Sequence, residues 1–209
     1  MQNKENVTSA KPGIGGAAFV APIGTTLPTD AKTPLSADFK ALGYISDEGL
    51  KNDQKIDSDT IKAWGGDVVL NLYKGKTDVF RATFLEILNT HVLKTVYGKN
   101  NVSGDLATMV EIRSNNKELD AQVMVFDMIL KGGFVKRVIL PDATVTNIDT
   151  ISYVDSDAVG YGVSINAISD ESGDTHIEYI EQYEGEASGG DSGGEGGTGG
   201  EGGDPGTSG

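Results

Sequence analysis

Apolar positions along this chain fall mostly into short runs with a period of two. In DVVLNLYKG, Val68, Leu70 and Leu72 alternate with Val69, Asn71 and Tyr73, the pattern of a strand. Strand patterns also cover ATMVEIRS (107–114), LDAQVMVFDMILK (119–131), FVKRVIL (134–140), ATVTNIDTISYV (143–154), GYGVSINAIS (160–169) and THIEYIEQY (175–183). Gly132-Gly133 reads as a hairpin turn, Pro141-Asp142 as a second turn, and Gly173-Asp174 as a third. Shorter strand signals lie just after Ala17 and in LGYISDEGL (42–50).

A single stretch carries a helical period. Over residues 78–97, Phe80, Phe84, Ile87, Leu88, Val92 and Val96 recur at helical spacing, which predicts one amphipathic helix. Asp78 is suited to cap its start, and Gly98 to end it in a left-handed conformation. Residues 47–62 read as a long polar loop, whose charged stretch from Lys51 onward has only Ile56 and Ile61 as isolated apolar positions. Seven or more strands with one helix predict a mainly β, α+β domain whose sheet is covered by the apolar helix face.

The two ends differ from this middle. Residues 1–16 are polar and Gly-rich and read as a flexible arm before a β domain over residues 17–184. Residues 185–209 contain 13 glycines, five acids and no Lys or Arg, with no apolar side chain larger than Ala or Pro. Such a segment buries too little surface to offset its ordering entropy, so it is expected to be a disordered acidic tail.

Charge narrows the function classes. The formal net charge is −14, of which the tail supplies five negative charges, so the domain itself is acidic. An acidic balance disfavours gripping nucleic acid, where Lys and Arg neutralise phosphates, and disfavours anionic membranes. The chain has no cysteine, so it offers neither disulfides nor thiolate metal sites. Its first 16 residues lack the apolar run of a signal peptide, and no stretch approaches a membrane span, so synthesis in the cytoplasm is expected.

Several strings imitate catalytic or metal sites. Gly190-Asp-Ser-Gly-Gly194 matches the surroundings of a trypsin-like nucleophile, but Ser192 lies in a segment of Gly, Ser, Asp, Glu and Thr where such strings arise readily. Gly199-Gly-Glu-Gly-Gly-Asp204 resembles half of a calcium-binding repeat in a single copy, without the required apolar residue. Gly13-Ile-Gly-Gly-Ala-Ala18 loosely matches a dinucleotide fingerprint, but no strand precedes it. Asp155-Ser-Asp157 reads as a solvated turn rather than a calcium loop. His91 falls on the apolar side of the predicted helix and His176 in the last strand, and neither has a His or Cys companion nearby in sequence. No catalytic residue, cofactor or metal is expected, and the sequence reads as a non-enzymatic, self-assembling subunit.

Two phrases carry a family resemblance. Ala21-Pro-Ile-Gly-Thr-Thr-Leu-Pro-Thr-Asp30 and Leu42-Gly-Tyr-Ile-Ser-Asp-Glu-Gly49 resemble the N-terminal region of major tail tube proteins of long, flexible-tailed (siphovirus-type) bacteriophages. A Trp-Gly lead into a strand, an amphipathic helix and a run of strands to about residue 183 follow in the family's order. The resemblance implies two packed antiparallel β-sheets, sandwich- or barrel-like, flanked by one helix. It also implies hexameric rings that stack around a tape measure protein into a virion tail tube assembled in the host cytoplasm, with tail terminator and distal tail proteins as further partners. Genomic DNA would pass through without specific binding, and an acidic wall suits that passage because the duplex carries a phosphate charge about every 1.7 Å. The 47–62 loop and the N-terminal arm are long enough to reach a neighbouring ring. The rival readings are a tube component of a contractile or secretion machine, a surface or adhesive β-domain, and a hydrolase using Ser192.

Overall fold

The computed structural model describes residues 2–13 and 16–183. Eleven strands are present: β1 (Ala10–Pro12), β2 (Ala18–Pro22), β3 (Lys40–Gly43), β4 (Lys51–Lys62), β5 (Val68–Phe84), β6 (Val102–Asp105), β7 (Met109–Ile112), β8 (Gln122–Leu130), β9 (Phe134–Ile148), β10 (Tyr161–Ile168) and β11 (Ile177–Gln182). The single α-helix among the described residues, α1, spans Thr90–Tyr97. Two antiparallel sheets result. Nine strands share one, in the order β3-β2-β8-β9-β10-β5-β4 with β1 on β8 and β11 on β9, while β6 and β7 form the other. The fold is mainly β and sandwich-like, as the strand patterning predicts.

The larger sheet curls on itself. Phe80 on β5 and Phe126 on β8 stack with ring centroids 6.5 Å apart, although their strands are three positions apart in the sheet. Three strand spacings in a flat sheet come to about 14 Å. The curl almost closes. Residues just after β3, at one end of the strand order, bond to β5 near the other end, through Ser46 N–H to Thr83 O and Leu85 N–H to Tyr44 O, both at 2.9 Å. Inside lie Leu42, Phe80, Phe84, Met124, Phe126, Leu140 and Ile165, and α1 adds Val92, Leu93 and Val96.

Strand β9 makes the curl possible. Its first part, Phe134–Ile139, pairs with β11, and its second, from Asp142 to Ile148, pairs with β10. Between them Pro141 and Asp142 stand in a register shift opposite β8. The expected turn at Pro141-Asp142 is therefore a bulge inside one continuous strand. Proline lacks an N–H and fits a bulge, and bulges bend strands and increase their twist.

The predicted helix over residues 78–97 is corrected in the same way. Residues 78–84 complete β5, and the helix begins only at Thr90, with the Asn89 side chain, not Asp78, capping it through His91 N–H at 2.9 Å. In β5 the residues Asp78, Phe80, Ala82 and Phe84 all point inward. The Phe80–Phe84 spacing of four satisfies a period of two as well as 3.6, so the sequence pattern alone does not separate strand from helix there. The expected loop over residues 47–62 is mostly β4, twelve residues paired along β5 and all exposed. A strand with solvent on both faces leaves no alternation to read. Residues 10–12 of the N-terminal arm are also paired, lying as β1 along β8 beyond the end of β2.

Two buried charges tie the connections to this frame. Arg137 on β9 is 3% exposed and grips Asp127 of β8 with Nε and Nη2 at 2.7 and 2.9 Å. Its Nη1 donates to the carbonyls of Asp30 and Thr33, at 3.0 and 2.9 Å. The Asp30 carboxylate accepts from Thr33 N–H and Thr33 Oγ1, and these bonds hold its pKa below the usual aspartate value. The resulting turn aims the two carbonyls at Arg137 and lays the preceding and following segments over Val123, Val125 and Ile139, a smaller apolar cluster on the outer face of the sheet. The phrase ending in Asp30 thus has a structural role. In the second phrase, Leu42 is fully buried and Gly43 has a φ of +75°, where an added Cβ would collide with the Glu86 carboxylate.

The second buried charge is Asp78, with 0% exposure. It accepts from Asn52 Nδ2 of β4 at 2.5 Å and from Thr175 Oγ1 at 2.7 Å, and His176 Nδ1 lies 2.5 Å from it. Lys76 Nζ stands 3.5 Å away. Burial pushes the carboxyl pKa up, but the bonds from Thr175, Asn52 and His176 outweigh it and hold the group below its ordinary value.

Two predictions follow from these anchors. Arg137→Ala leaves a carboxylate and two carbonyls without their donor and should lower unfolding stability in urea by about 3–5 kcal/mol. Arg137→Lys should recover only part of that, since an ammonium cannot reproduce the two-pronged bond. Because its folded pKa is depressed, Asp78 contributes stability that is complete above the ordinary value of 3.8 and is lost as pH falls through the folded one. Asp78→Asn should therefore be less stable than wild type by about 1–3 kcal/mol at pH 6. The gap should narrow progressively in urea titrations below pH 3.8.

Candidate assembly surface

The β4–β5 hairpin is the part of the molecule without a core. Strand β10 pairs with β5 only from Asp78 to Phe84, so Val68–Thr77 has β4 as its sole ladder partner. Ten residues at about 3.3 Å each make a two-stranded ribbon roughly 30 Å long. Its root is fixed by the Asp78 cluster and by the cross-strand pair Arg81–Asp53, and Lys74–Asp59 at 2.5 Å links the strands further out. At the tip, Ala63 N–H bonds Asp67 O at 2.8 Å and Gly66 turns the chain with a φ of +95°.

One strand of this ribbon is apolar where a solvated hairpin should be polar. Val68, Val69, Leu70, Leu72 and Tyr73 are all exposed, and Trp64 at the tip is 104% exposed. A lone two-stranded hairpin is marginally stable in water, and a contiguous exposed apolar surface marks an interaction site. The predicted alternation over residues 67–75 is correct as secondary structure. Both of its faces are open, however, where sequence patterning implies burial.

A second surface lies between α1 and the ends of β2 and β8. It is a cleft of about 570 Å³, bordered by Val20, Ala21, Pro22 and Ile23 on one side and by His91, Lys94 and Thr95 of α1 on another. Thr95 is 1% exposed, and its Oγ1 has no hydrogen-bond partner among the described residues. Burial lowers the His91 pKa, reinforced by the neighbouring charges of Lys94 and Lys40. No residue of the hairpin lines this cleft.

Among the described residues the chemistry-like strings are not assembled into a site. The segments 190–194 and 199–204 lie outside the described residues, as does the whole of the expected tail, 185–209. Gly13 N–H bonds Asp127 O at 2.9 Å, and the chain then enters β2 rather than a helix, so the dinucleotide arrangement is not built. Asp155 and Asp157 are exposed in a bend, and Asp157 Oδ1 accepts from the next residue's N–H. His91 is half-buried on α1. His176 sits just before β11, beside Asp78, and neither histidine joins the other. Asp78, Thr175 and His176 contain the residue types of a hydrolytic triad but the wrong connections. Thr175 and His176 both bond the carboxylate, whereas a nucleophile must bond the base. Among the described residues no group of three or more His, Cys, Asp or Glu is placed to hold a metal, and no helix is long and apolar enough to cross a membrane.

The features that matter here are therefore surfaces: a projecting apolar arm and a cleft elsewhere on the body. A search of curated proteins found no match. A family model described as phage tail tube protein matches residues 2–188, which takes in every described strand and the helix. That match identifies a structural subunit of the virion tail that self-assembles into a tube, and the chain belongs to the phage tail tube protein family.

Proposed function

We propose that six copies close into a ring and that rings stack around a tape measure protein into the tail tube of a long, flexible-tailed phage. The tube is assembled in the host cytoplasm, is finished by terminator and distal tail proteins, and conducts genomic DNA without catalysis or specific binding. The observation that carries this reading is the β4–β5 hairpin, whose exposed apolar side chains on a roughly 30 Å ribbon suit an arm reaching into a neighbouring subunit or ring. The acidic balance, with a net charge of −14, supports DNA passage because like charge keeps a polyanion from adhering. The N-terminal arm beyond β1 is a second joining segment.

The test removes the arm and spares its root. Replacing residues 56–75 by a two-residue turn keeps Asn52, Asp53, Asp78 and Arg81 in place, so the body should still fold, with a cooperative urea transition. It should remain monomeric by light scattering and form no tubes by negative-stain microscopy, while the intact chain does. Normal tubes from the shortened protein would overturn the proposal.

A further inference from the structure

The hairpin ends in the chain's only tryptophan, and the body holds an open cleft of a size suited to one. We infer that Trp64 at the hairpin tip of one copy seats in the cleft between α1 and the β2–β8 strand ends of a second copy. This rests on the assembly reading above and names its receiving surface.

Chemistry pairs the two surfaces in three ways. Trp64 is fully exposed, and an aromatic of its size buries about 150–250 Å² when it finds a partner. The cleft is of ligand-pocket size, with Val20, Ala21, Pro22 and Ile23 along its apolar wall. On its α1 wall Thr95 carries a buried Oγ1 without a partner, which a turn of its side chain would present to the single N–H of the tryptophan. One donor thus meets one orphaned acceptor beside the apolar wall, in a cleft whose border also carries Asp38, Lys40, His91, Lys94, Lys99 and Asp120. Charge adds a third match. Asp67 lies three residues from Trp64 in the tip turn, and Lys94 borders the cleft. Neither makes an ion pair among the described residues.

Other occupants fit less well. Residues 185–209 contain no apolar side chain larger than Ala or Pro and cannot fill an apolar cleft. Tyr44 and Tyr153 are also exposed, but they lie in connections on the body rather than on a projecting arm. Donor and receptor are different patches of one chain, so the contact is head-to-tail. Such contacts propagate, closing rings or extending filaments, whereas a self-complementary patch stops at a dimer.

A lone tryptophan makes the contact directly observable in the full-length protein. On passing from dilute monomer to tubes verified by microscopy, Trp64 emission should shift to the blue and acrylamide quenching should fall several-fold. Lys94→Glu should reduce assembly, and the double variant Asp67→Lys with Lys94→Glu should restore it, because the swap rebuilds the pair with reversed sign. Ala121→Phe, which narrows the cleft, should abolish tubes with little change in the urea midpoint. Both positions of the charge swap are exposed, so that arm decides the matter even where Ala121→Phe fails to fold. Tubes in which Trp64 stays as quenchable as in the monomer, or a charge swap without rescue, overturn the cleft assignment and leave the assembly role standing. A wild-type chain that forms no oligomer at any concentration overturns both.

Discussion

Phe80 and Phe126 touch across the interior although their strands are three places apart in the sheet, and that contact constrains the rest of the molecule. A sheet of this breadth has an apolar face too large to be covered by an eight-residue helix, so it must curl and cover itself. Curling requires a strand that bends, supplied by β9 at Pro141. It also brings the residues after β3 against β5, which leaves α1 only part of the core to close. Once β5 is committed at its inner end to β10 and to the core, its outer end has nowhere to go but away from the body. The projecting hairpin is thus a consequence of how the core closes, not an appendage added to it.

Two charged residues hold this arrangement in register. A buried ion pair recovers its desolvation cost only when geometry and extra hydrogen bonds are good, and Arg137 has both, with four bonds to Asp127 and two carbonyls. What it fixes is position, since the segment around Asp30 otherwise has few backbone partners. Asp78 does the same at the hairpin root, drawing together β4, β5 and the connection before β11 through one carboxylate. An arm about 30 Å long magnifies any angular play at its base, so a rigid root matters more than the small net stability of its bonds.

Much of this was legible in the sequence, and the failures have identifiable causes. Strands β8, β10 and β11 were readable from alternation or from apolar runs bounded by turn residues. The Phe80–Phe84 interval was ambiguous between periods and lengthened the expected helix by twelve residues relative to α1 (Thr90–Tyr97). Strand β4 was invisible because none of its twelve residues is buried. Pro141 looked like a turn because a bulge and a turn use the same residue. The phrases ending in Asp30 and beginning at Leu42 identified the family. Their physical meaning, a carbonyl pair aimed at Arg137 and a glycine beside Glu86, needed three-dimensional partners more than 40 residues away in sequence. The cleft had no sequence signature at all, since Val20, Thr95 and Ala121 come from three separate segments.

Charge placement bears on how a subunit with an exposed apolar strand avoids indiscriminate association. The chain as a whole is strongly acidic, so copies repel one another at long range, which opposes indiscriminate association of the exposed apolar ribbon. The hairpin departs from that balance. Residues 51–76 carry five lysines against four aspartates, so the arm approaches an acidic neighbour with little charge penalty. Repulsion between bodies falls with added salt, while apolar burial by the arm does not, and screening at physiological ionic strength acts over about 8 Å. On the proposed assembly, contact is selected by which surface can come close: acidic bodies hold each other off, and the nearly neutral arm bridges the gap.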